Sequence, residues 1–477
     1  MTGRRSSQVY SRYPQMIGRK SARIFGLGSL LVLWSLVAGF IEPVEGQEFD
    51  DGVLTLEEAL TLAERWNPAY RRALADRRAA DAGVRAGYGA FLPSLNASLG
   101  WGGGSSTTLT GTDDFGQSVR LPNPISFSSS SASQSLSSSM TIFDGFQNLN
   151  SARAARFDAD AAEYAVADAV VAMDAEVKRR FFLVVNSQRL IDVERELLVS
   201  RENSLEVNER LFAIAGASQS DVLGAQIDVA AQQQQLEVAI GNAQKNRLQL
   251  LEQVGLLEET HFEVAGVFPE PFDPSQLDVE RLVIAAIERN PIMERSAAQR
   301  LSALRRTSAA RGARLPRISL NGSFSRGAQE QGFGAIGNLN PLNRGFNFST
   351  SIQLPLFSGF QTSQNIAQAT AGLQNAEEAL RETQLRLEQQ VRSAFIDLEN
   401  AYQALLIQRR STAFSRRRVE LSQEEFRQGS IAFVNLQPVV DQAANQERAL
   451  VNAEYDFAVA LVTLEERVGT SIPRPEQ

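Results

Sequence analysis

The sequence predicts a mainly α-helical protein that also carries membrane β-strands and consists of two tandem repeats. Three observations predict this fold class. Short motifs recur at nearly constant offsets, which indicates a duplicated unit. Four segments alternate apolar and polar residues, as strands do, and two stretches of roughly 60 residues carry apolar residues at helical spacing. Each repeat is therefore expected to contain a strand pair followed by a long helical hairpin.

The composition excludes several functional classes. The chain has 477 residues, no Cys, one His and a formal net charge of −8. An acidic chain is a poor general binder of nucleic acid, so no nucleic-acid partner is expected. Without Cys there is no disulfide, Cys-ligated metal or thiol nucleophile, and His261 alone does not make a His-rich metal site. No phosphate-binding or nucleophile motif is present, so we expect neither cofactor, bound metal nor enzyme activity.

Residues 1–46 have the layout of a secretory signal peptide. Arg19, Lys20 and Arg23 precede an uncharged, largely apolar run from Ile24 to Ile41, and small residues follow it. The run is just long enough to cross a bilayer, so an uncleaved membrane anchor is the alternative. Both readings predict an exported protein.

Recurring motifs mark the duplication. Two pairs lie 223 residues apart and two later pairs lie 214 apart. The four pairs are Asn67-Pro68 and Asn290-Pro291, Leu92-Pro93 and Leu315-Pro316, Phe143–Phe146 and Phe357–Phe360, and Val254-Gly255 and Val468-Gly469. Leu223 and Leu436 match at 213. The drop in offset predicts that the first copy carries a loop about nine residues longer.

These motifs divide the exported chain. We expect a first repeat at 47–256, a Pro-rich connector at 257–277, a second repeat at 278–469 and a tail at 470–477. Each repeat begins with a short helix, Thr55–Trp66 or Asp278–Arg289, which ends at Asn-Pro because the residue before proline disfavours helical geometry. A second helix is then expected to run to Leu-Pro.

The period then changes from 3.6 to 2, which predicts strands. The predicted strands are Ser94–Trp101, Ala132–Phe143, Ile318–Phe324 and Phe346–Phe357. Between the strands of each pair we expect a long Gly/Ser/Pro-rich loop, Gly102–Ile125 in the first copy and Gly327–Arg344 in the second. If the strands cross a membrane, these long loops lie outside the cell.

The two faces of each predicted strand differ in polarity. Leu136, Phe348 and Ile352 are expected to face lipid, whereas Ser349 and Gln353 are expected to face a lumen. A soluble sandwich of hairpins is the alternative for the strands alone. Only four such strands occur among long helices, and their polar faces carry Ser, Asn and Gln rather than charges, which favours the membrane interpretation.

A very long helix follows each strand pair. The first is expected from about Gln147 to Phe212, which corresponds to about 100 Å at 1.5 Å per residue. A helix of this length requires a coiled coil or a bundle. Gly216 and Gly429 mark the turns into returning helices of about 35 residues. The predicted hairpins span about 147–254 and 361–468.

Four strands do not close a barrel. Because lipid does not tolerate open sheet edges, the membrane interpretation requires several chains to share one barrel. About eight strands form the smallest stable barrel, so the strand count predicts an oligomer without specifying its size.

The order of these features resembles the TolC-like outer-membrane efflux protein family, the outer-membrane factors. The resemblance rests on the signal peptide, Leu56–Leu60, Asn-Pro, Leu-Pro, Phe-x-Gly-Phe and Asp221–Leu223, duplicated over more than 400 residues. It implies a homotrimer with a shared 12-stranded β-barrel continued by a periplasmic α-helical barrel. It further implies an outer-membrane channel subunit of a tripartite efflux or type I secretion system, with a periplasmic adaptor and an inner-membrane transporter as partners.

The resemblance also places the periplasmic entrance near the hairpin turns. Asp221 and Asn435 lie nine residues after Phe212 and Phe426, at positions that the resemblance puts near the constriction. The alternative is that Asp221 only caps the returning helix. Gly216 lies four residues after Phe212, whereas Gly429 lies three after Phe426, so the two turns differ.

Other candidate features have structural explanations. We expect the acidic pairs Glu57-Glu58, Glu424-Glu425 and Glu465-Glu466 to lie on solvated helix faces, and Trp66 to lie in the core. Gln232–Gln235 is expected on a solvated or interhelical face. A periplasmic coiled-coil adaptor or structural scaffold remains the alternative function, although two hairpins that each follow a strand pair favour the channel.

Overall fold

The computed structural model describes residues 52–112, 114–214, 216–256 and 263–472. The predicted signal peptide and His261 lie outside the described residues. The first copy contains β1 (Val53–Leu54), α1 (Leu56–Trp66), α2 (Pro68–Gly89), β2 (Ser94–Thr112), β3 (Ser118–Phe143), α3 (Gln147–Ala213) and α4 (Gln219–Val254). The connector contains β4 (Glu263–Val264) and a 3-10 turn (Pro274–Gln276). The second copy contains α5 (Val279–Arg289), α6 (Pro291–Gly312), β5 (Arg317–Gln331), β6 (Asn343–Gln353), α7 (Gln361–Arg427) and α8 (Phe433–Val468).

The element bounds confirm the duplication. The helices before the strands begin 223 residues apart in the two copies, and the helices after the strands begin 214 apart. Because this second offset is uniform, Val222 rather than Leu223 corresponds to Leu436. The predicted offset of 213 for Leu223 is therefore wrong, in agreement with the exposure of Leu223 and the burial of Leu436.

The short helices begin at side-chain caps and bury one small-residue face. Thr55 accepts a hydrogen bond from the N–H of Glu58, and the Glu58 carboxylate accepts one from the N–H of Thr55 at 2.8 Å. This backbone hydrogen bond, with a second from the Thr55 hydroxyl, lowers the pKa of Glu58. Asp278 caps α5 in the same position. Trp66 is half-buried beside Arg71 rather than in the core as predicted, because its helix buries Ala59 and Ala63 instead.

The Asn-Pro and Val-Gly motifs of each copy contact one another. Buried Asn67 accepts hydrogen bonds from the N–H groups of Ala69 and Tyr70, and its amide donates to the carbonyl of Gln253 at 2.6 Å. Gly255 ends α4 with φ 87° and lies so close to the backbone of Trp66 that a Cβ atom would clash. These contacts thus hold the first turn of α2 against the C-terminal end of α4.

The long helices form a layer in the order α4, α3, α8, α7. Helices α3 and α7 each have 67 residues, about 100 Å, and α4 and α8 each have 36. Phe181 and Leu250 belong to the buried cluster of the first copy, and Leu398 and Phe457 to that of the second. Helix α8 carries Pro438 inside its second turn.

The four long strands form one antiparallel sheet in the order β2-β3-β5-β6. Directly paired residues include Leu136 with Phe324, Phe324 with Phe346, and Gly322 with Phe348. Paired residues of an antiparallel sheet share a face, so one apolar face runs across the strands. Its members include Leu95, Ala97, Leu99, Leu136, Met140, Ile318, Leu320, Phe324, Phe346, Phe348 and Ile352.

The strands of the first copy are longer than predicted, and the predicted loop Gly102–Ile125 is wrong. Strand β2 continues to Thr112 and β3 begins at Ser118, so the nine extra residues of the first copy lengthen a hairpin rather than a loop. Small hydroxyl residues pair across it, as Thr107 does with Ser126 at 3.0 Å. Gly, Ser and Thr lack an apolar alternation, so their sequence resembles that of a loop.

The second strand pair differs from prediction at both ends. Strand β5 extends to Gln331, which leaves a shorter loop than Gly327–Arg344. Strand β6 ends at Gln353, not at Phe357, before Pro355, which has no N–H to donate. The Phe-x-Gly-Phe motif then turns the chain into the long helix. Phe360 has φ 65° and packs edge-on against Phe357, with ring centroids 5.6 Å apart, and the first copy repeats this arrangement.

Candidate functional site

The turn at the end of α7 is a regular helix stop. Gly429 has φ 73°, its N–H donates to the carbonyl of Phe426, and the N–H of Ser430 donates to the carbonyl of Glu425 at 2.8 Å. This hydrogen-bond pair is the Schellman arrangement, in which glycine takes the left-handed position.

The turn at the end of α3 uses glycine differently. The N–H of Gly216 donates to the carbonyl of Leu211 at 2.7 Å, so Gly216 corresponds to Ser430 and follows the position that Gly429 occupies. Both predicted glycines therefore lie in the hairpin turns, but only Gly429 is at the left-handed position. This difference explains the one-residue discrepancy in spacing.

Asp221 caps the returning helix α4. Ser218 is the N-cap, and its N–H and hydroxyl donate to the Asp221 carboxylate at 2.9 and 2.7 Å. The hydroxyl hydrogen bond, with that from the backbone, lowers the pKa of Asp221. Asp221 thus completes the capping box of α4, and its carboxylate is ionised at neutral pH at the hairpin turn.

Asn435 occupies the corresponding third position of α8 but forms no capping box. Its N-cap is Ala432, which has no side-chain acceptor, and Asn435 is exposed. Leu436 beside it is 2% exposed and packs in a cluster with Phe426 and Phe433. The two turns therefore place a charged and a neutral side chain at equivalent positions.

Charged residues near the hairpin turns link helices α3, α4 and α8. Arg201 of α3 contacts Asp441 of α8 and lies 3.9 Å from Asp228 of α4. Gln437 donates to Asp228 at 2.5 Å. Burial raises the pKa of Asp228, while Arg201 and Gln437 oppose this and Asp441 adds to it. This group was not predictable from the sequence because its members lie far apart in the chain.

The sheet exposes its apolar face in a single chain. Phe348 is 61% exposed and Ile352 is 72% exposed, and they share this face with Leu136. Ser349 and Gln353 lie on the opposite face, which carries Ser, Asn, Gly and Gln along β5 and β6 and one charged residue, Arg317, at its end. An exposed apolar area of this extent indicates a surface that a membrane or another protein chain covers.

Both margins of the molecule are unpaired. Within the described residues, no strand pairs with the outer edge of β2 or β6. Helices α4 and α7 are the outer members of the helical layer, and each exposes an apolar stripe at helical spacing. The stripe on α4 includes Ile227 and Val238, and that on α7 includes Leu385, Ile396, Ile407, Phe414 and Leu421.

The adjacent residues Glu465 and Glu466 form ion pairs between two helices. Glu465 contacts Lys178 at 3.3 Å and Glu466 contacts Arg179 at 2.8 Å, so both join helices α8 and α3 rather than lie on a solvated face as predicted. Buried Gln232 donates to Glu194 and lies at an interhelical contact. In the described ranges, no cluster of three metal-ligating side chains occurs, and no helix is both long and apolar enough to cross a bilayer.

The family model described as outer membrane efflux protein matches residues 59–256 and 282–470. No curated protein sequence matches significantly. A membrane protein from Pseudomonas aeruginosa is 21% identical with a TM-score of 0.70, over 87% of this chain and 93% of that one. The CmeC outer membrane channel of Campylobacter jejuni is 16% identical with a TM-score of 0.71, over 88% and 87%. The open state of the MtrE outer membrane channel of Neisseria gonorrhoeae is 18% identical with a TM-score of 0.66, over 87% and 89%.

Proposed function

Since the chain belongs to the outer membrane efflux protein family, we propose that it is a passive channel subunit of a tripartite efflux or type I secretion system. Cargo passes from an inner-membrane transporter and a periplasmic adaptor through this channel to the cell exterior. The observation that carries the proposal is a four-stranded sheet with one apolar face, one polar face and two open edges. A lipid-embedded, water-filled barrel requires these surfaces.

The open edges support a ring of three chains. Because β2 and β6 lie at opposite margins of the sheet, β2 of one chain can pair with β6 of a neighbouring chain. Such head-to-tail contacts close into a ring when the rotation permits. Three chains supply twelve strands, which is enough for a barrel with a lumen, and their ring leaves no open sheet edge in lipid.

The helical layer and the sheet both have an element of the first repeat at one margin and an element of the second repeat at the other. The outer helices α4 and α7 belong to the first and second copy, as β2 and β6 do. A neighbouring subunit would therefore cover the apolar stripes of α4 and α7 in the same ring that joins β2 to β6. Twelve helices then continue the barrel into the periplasm, and the hairpin turns that carry Asp221 and Asn435 form its entrance.

Membrane fractionation with conductance measurement tests the proposal. We expect the protein in the outer-membrane fraction as detergent-resistant trimers that form ion-conducting pores in planar bilayers. A monomer recovered in the soluble periplasmic fraction, with no conductance, would instead support an adaptor or scaffold.

A further inference from the structure

The apolar face of the sheet ends at two arginines on neighbouring strands. Arg326 of β5 pairs directly with Arg344 of β6, one step beyond the pair Phe324 and Phe346. Because residues two apart on a strand share a face, both arginines lie on the apolar face. Between them and the helical end of the sheet, the members of this face in β5 and β6 are uncharged.

This arginine pair is unfavourable by itself. Like charges directly opposite in an antiparallel sheet destabilise the pairing. Within the described residues, no carboxylate forms an ion pair with Arg326 or Arg344, although many arginines of the helices are paired. Arg326 does contact the neutral side chain of Asn340, yet its Nε atom is buried without a hydrogen-bond partner in the described structure. The site thus holds two positive charges and an unsatisfied donor.

A strap formed by residues 332–342 frames the site. It crosses the same face of the sheet, where the side chains of Trp101 and Gln134 donate to the carbonyls of Asn338 and Leu339 at 3.3 and 2.7 Å. The N–H of Ala335 donates to the hydroxyl of buried Ser130 at 3.0 Å. The strap covers the face beyond the arginines and leaves Arg344 exposed beside the apolar residues.

The position of the pair matches the outer boundary of a membrane. Residues 346–353 of β6 cover about 24 Å of extended chain, and the exposed side chains of Leu354, Leu356 and Phe357 continue this apolar band beyond the end of the strand. Arg344 lies just beyond this band, at the end away from the helices, where the lipid headgroups of the outer leaflet lie. Trp101, one step farther out on β2, is a residue type enriched at such interfaces.

We propose that Arg326 and Arg344 bind a phosphate group of an anionic lipid in the outer leaflet. Guanidinium groups bind phosphate oxygens through paired N–H donors, and one phosphate between the two arginines offsets their repulsion. This inference rests on the proposed function, because it requires the apolar face to contact lipid.

Lipid binding by the purified trimer tests the inference. Native mass spectrometry in detergent counts the diphosphoryl lipid A molecules retained by the wild type and by the R326Q/R344Q variant. We expect at least about tenfold weaker binding by this variant, since charge-assisted hydrogen bonds are lost. The control R314Q/R317Q removes the same charge at the inner end of the sheet and should bind as the wild type does.

The R344Q variant and a competition with inorganic phosphate distinguish loss of the lipid site from failed assembly and from binding of any phosphate. The single variant R344Q removes an exposed side chain and preserves the Arg326–Asn340 contact, so weaker binding by a well-assembled R344Q trimer also supports the site. Equal binding by wild type, R344Q and R326Q/R344Q would overturn the inference, as would full displacement of lipid A by millimolar inorganic phosphate. Trimer assembly and conductance of the wild type are recorded separately, so a failed channel contradicts the proposed function and a normal channel without lipid selectivity contradicts only this inference.

Discussion

The guanidinium of Arg448 binds both carboxylate oxygens of Glu194, from Nε at 2.6 Å and from Nη2 at 2.8 Å. Gln232 donates to the same carboxylate at 2.6 Å. The three residues belong to α8, α3 and α4, so this group joins the second copy to both helices of the first. The Glu194 side chain is almost fully buried, which makes the loss of one partner costly.

We predict that Glu194→Gln lowers the free energy of unfolding by about 1–3 kcal/mol, because Arg448 loses its charged partner while side-chain volume is kept. Asp192→Asn is the matched control, since its pair with Arg195 is exposed and contributes little. Denaturant midpoints of the detergent-solubilised protein measure the difference. Equal midpoints for both variants would show that the Glu194 group does not stabilise the helical layer.

The same pair predicts a pH dependence. Burial alone would raise the pKa of Glu194, but hydrogen bonds from Arg448 and Gln232 and the charge of Arg448 lower it overall. A carboxyl whose pKa is lowered by folding stabilises the protein above its unfolded pKa, and this stabilisation is lost as the pH falls through the folded pKa. The stability difference between wild type and Glu194→Gln should therefore shrink below about pH 4.

The Asn67 contact gives a second stability prediction. Asn67→Ala removes the cap of α2 and the hydrogen bond to Gln253, so we expect a loss of about 1–3 kcal/mol. Asn67→Asp keeps the acceptor for the N–H groups of Ala69 and Tyr70 but places a carboxylate against a carbonyl. Thermal unfolding should rank the wild type above both variants. If Asn67→Asp equals the wild type, the contact with Gln253 contributes nothing.

The two faces of β6 are predicted to respond differently to charge. Phe348→Arg places a charge on the lipid face and should cost about 2–4 kcal/mol near the midplane, whereas Ser349→Arg should be tolerated in the lumen. The yield of detergent-resistant oligomer in the outer membrane measures this cost. Similar losses for the two variants would contradict the assignment of the faces.

The entrance is predicted to respond to charge at the hairpin turns. Asn435→Asp adds a second ring of carboxylates and should increase block by divalent cations, and Asp221→Asn should reduce cation preference. Ser218→Ala is the control, because it removes a hydrogen bond to Asp221 but keeps the charge. Bilayer selectivity measures all three variants. Unchanged selectivity in the first two would remove both residues from the entrance.

The duplication, the helices and the polarity of the sheet were predictable from the sequence, because apolar periodicity reports them directly. The outer part of the β2–β3 hairpin was not, since its strands pair through Gly, Ser and Thr, as at Thr107 and Ser126. The solvated position predicted for Glu465 and Glu466 was also wrong, because both side chains form ion pairs with basic residues of α3. The strap over Trp101 depends on contacts between residues more than 200 positions apart.

Single-cysteine labelling on intact cells tests the proposed channel most directly, because the natural chain has no cysteine. Phe115→Cys lies at the outer hairpin, where Phe115 is 90% exposed, and Ser220→Cys lies at the start of α4 beside the opposite end of the long helices. A membrane-impermeant maleimide should label the cysteine at 115 on intact cells and the cysteine at 220 only after the outer membrane is permeabilised. Labelling at 220 but not at 115 on intact cells, or at neither until permeabilisation, would contradict an outer-membrane channel with periplasmic hairpins.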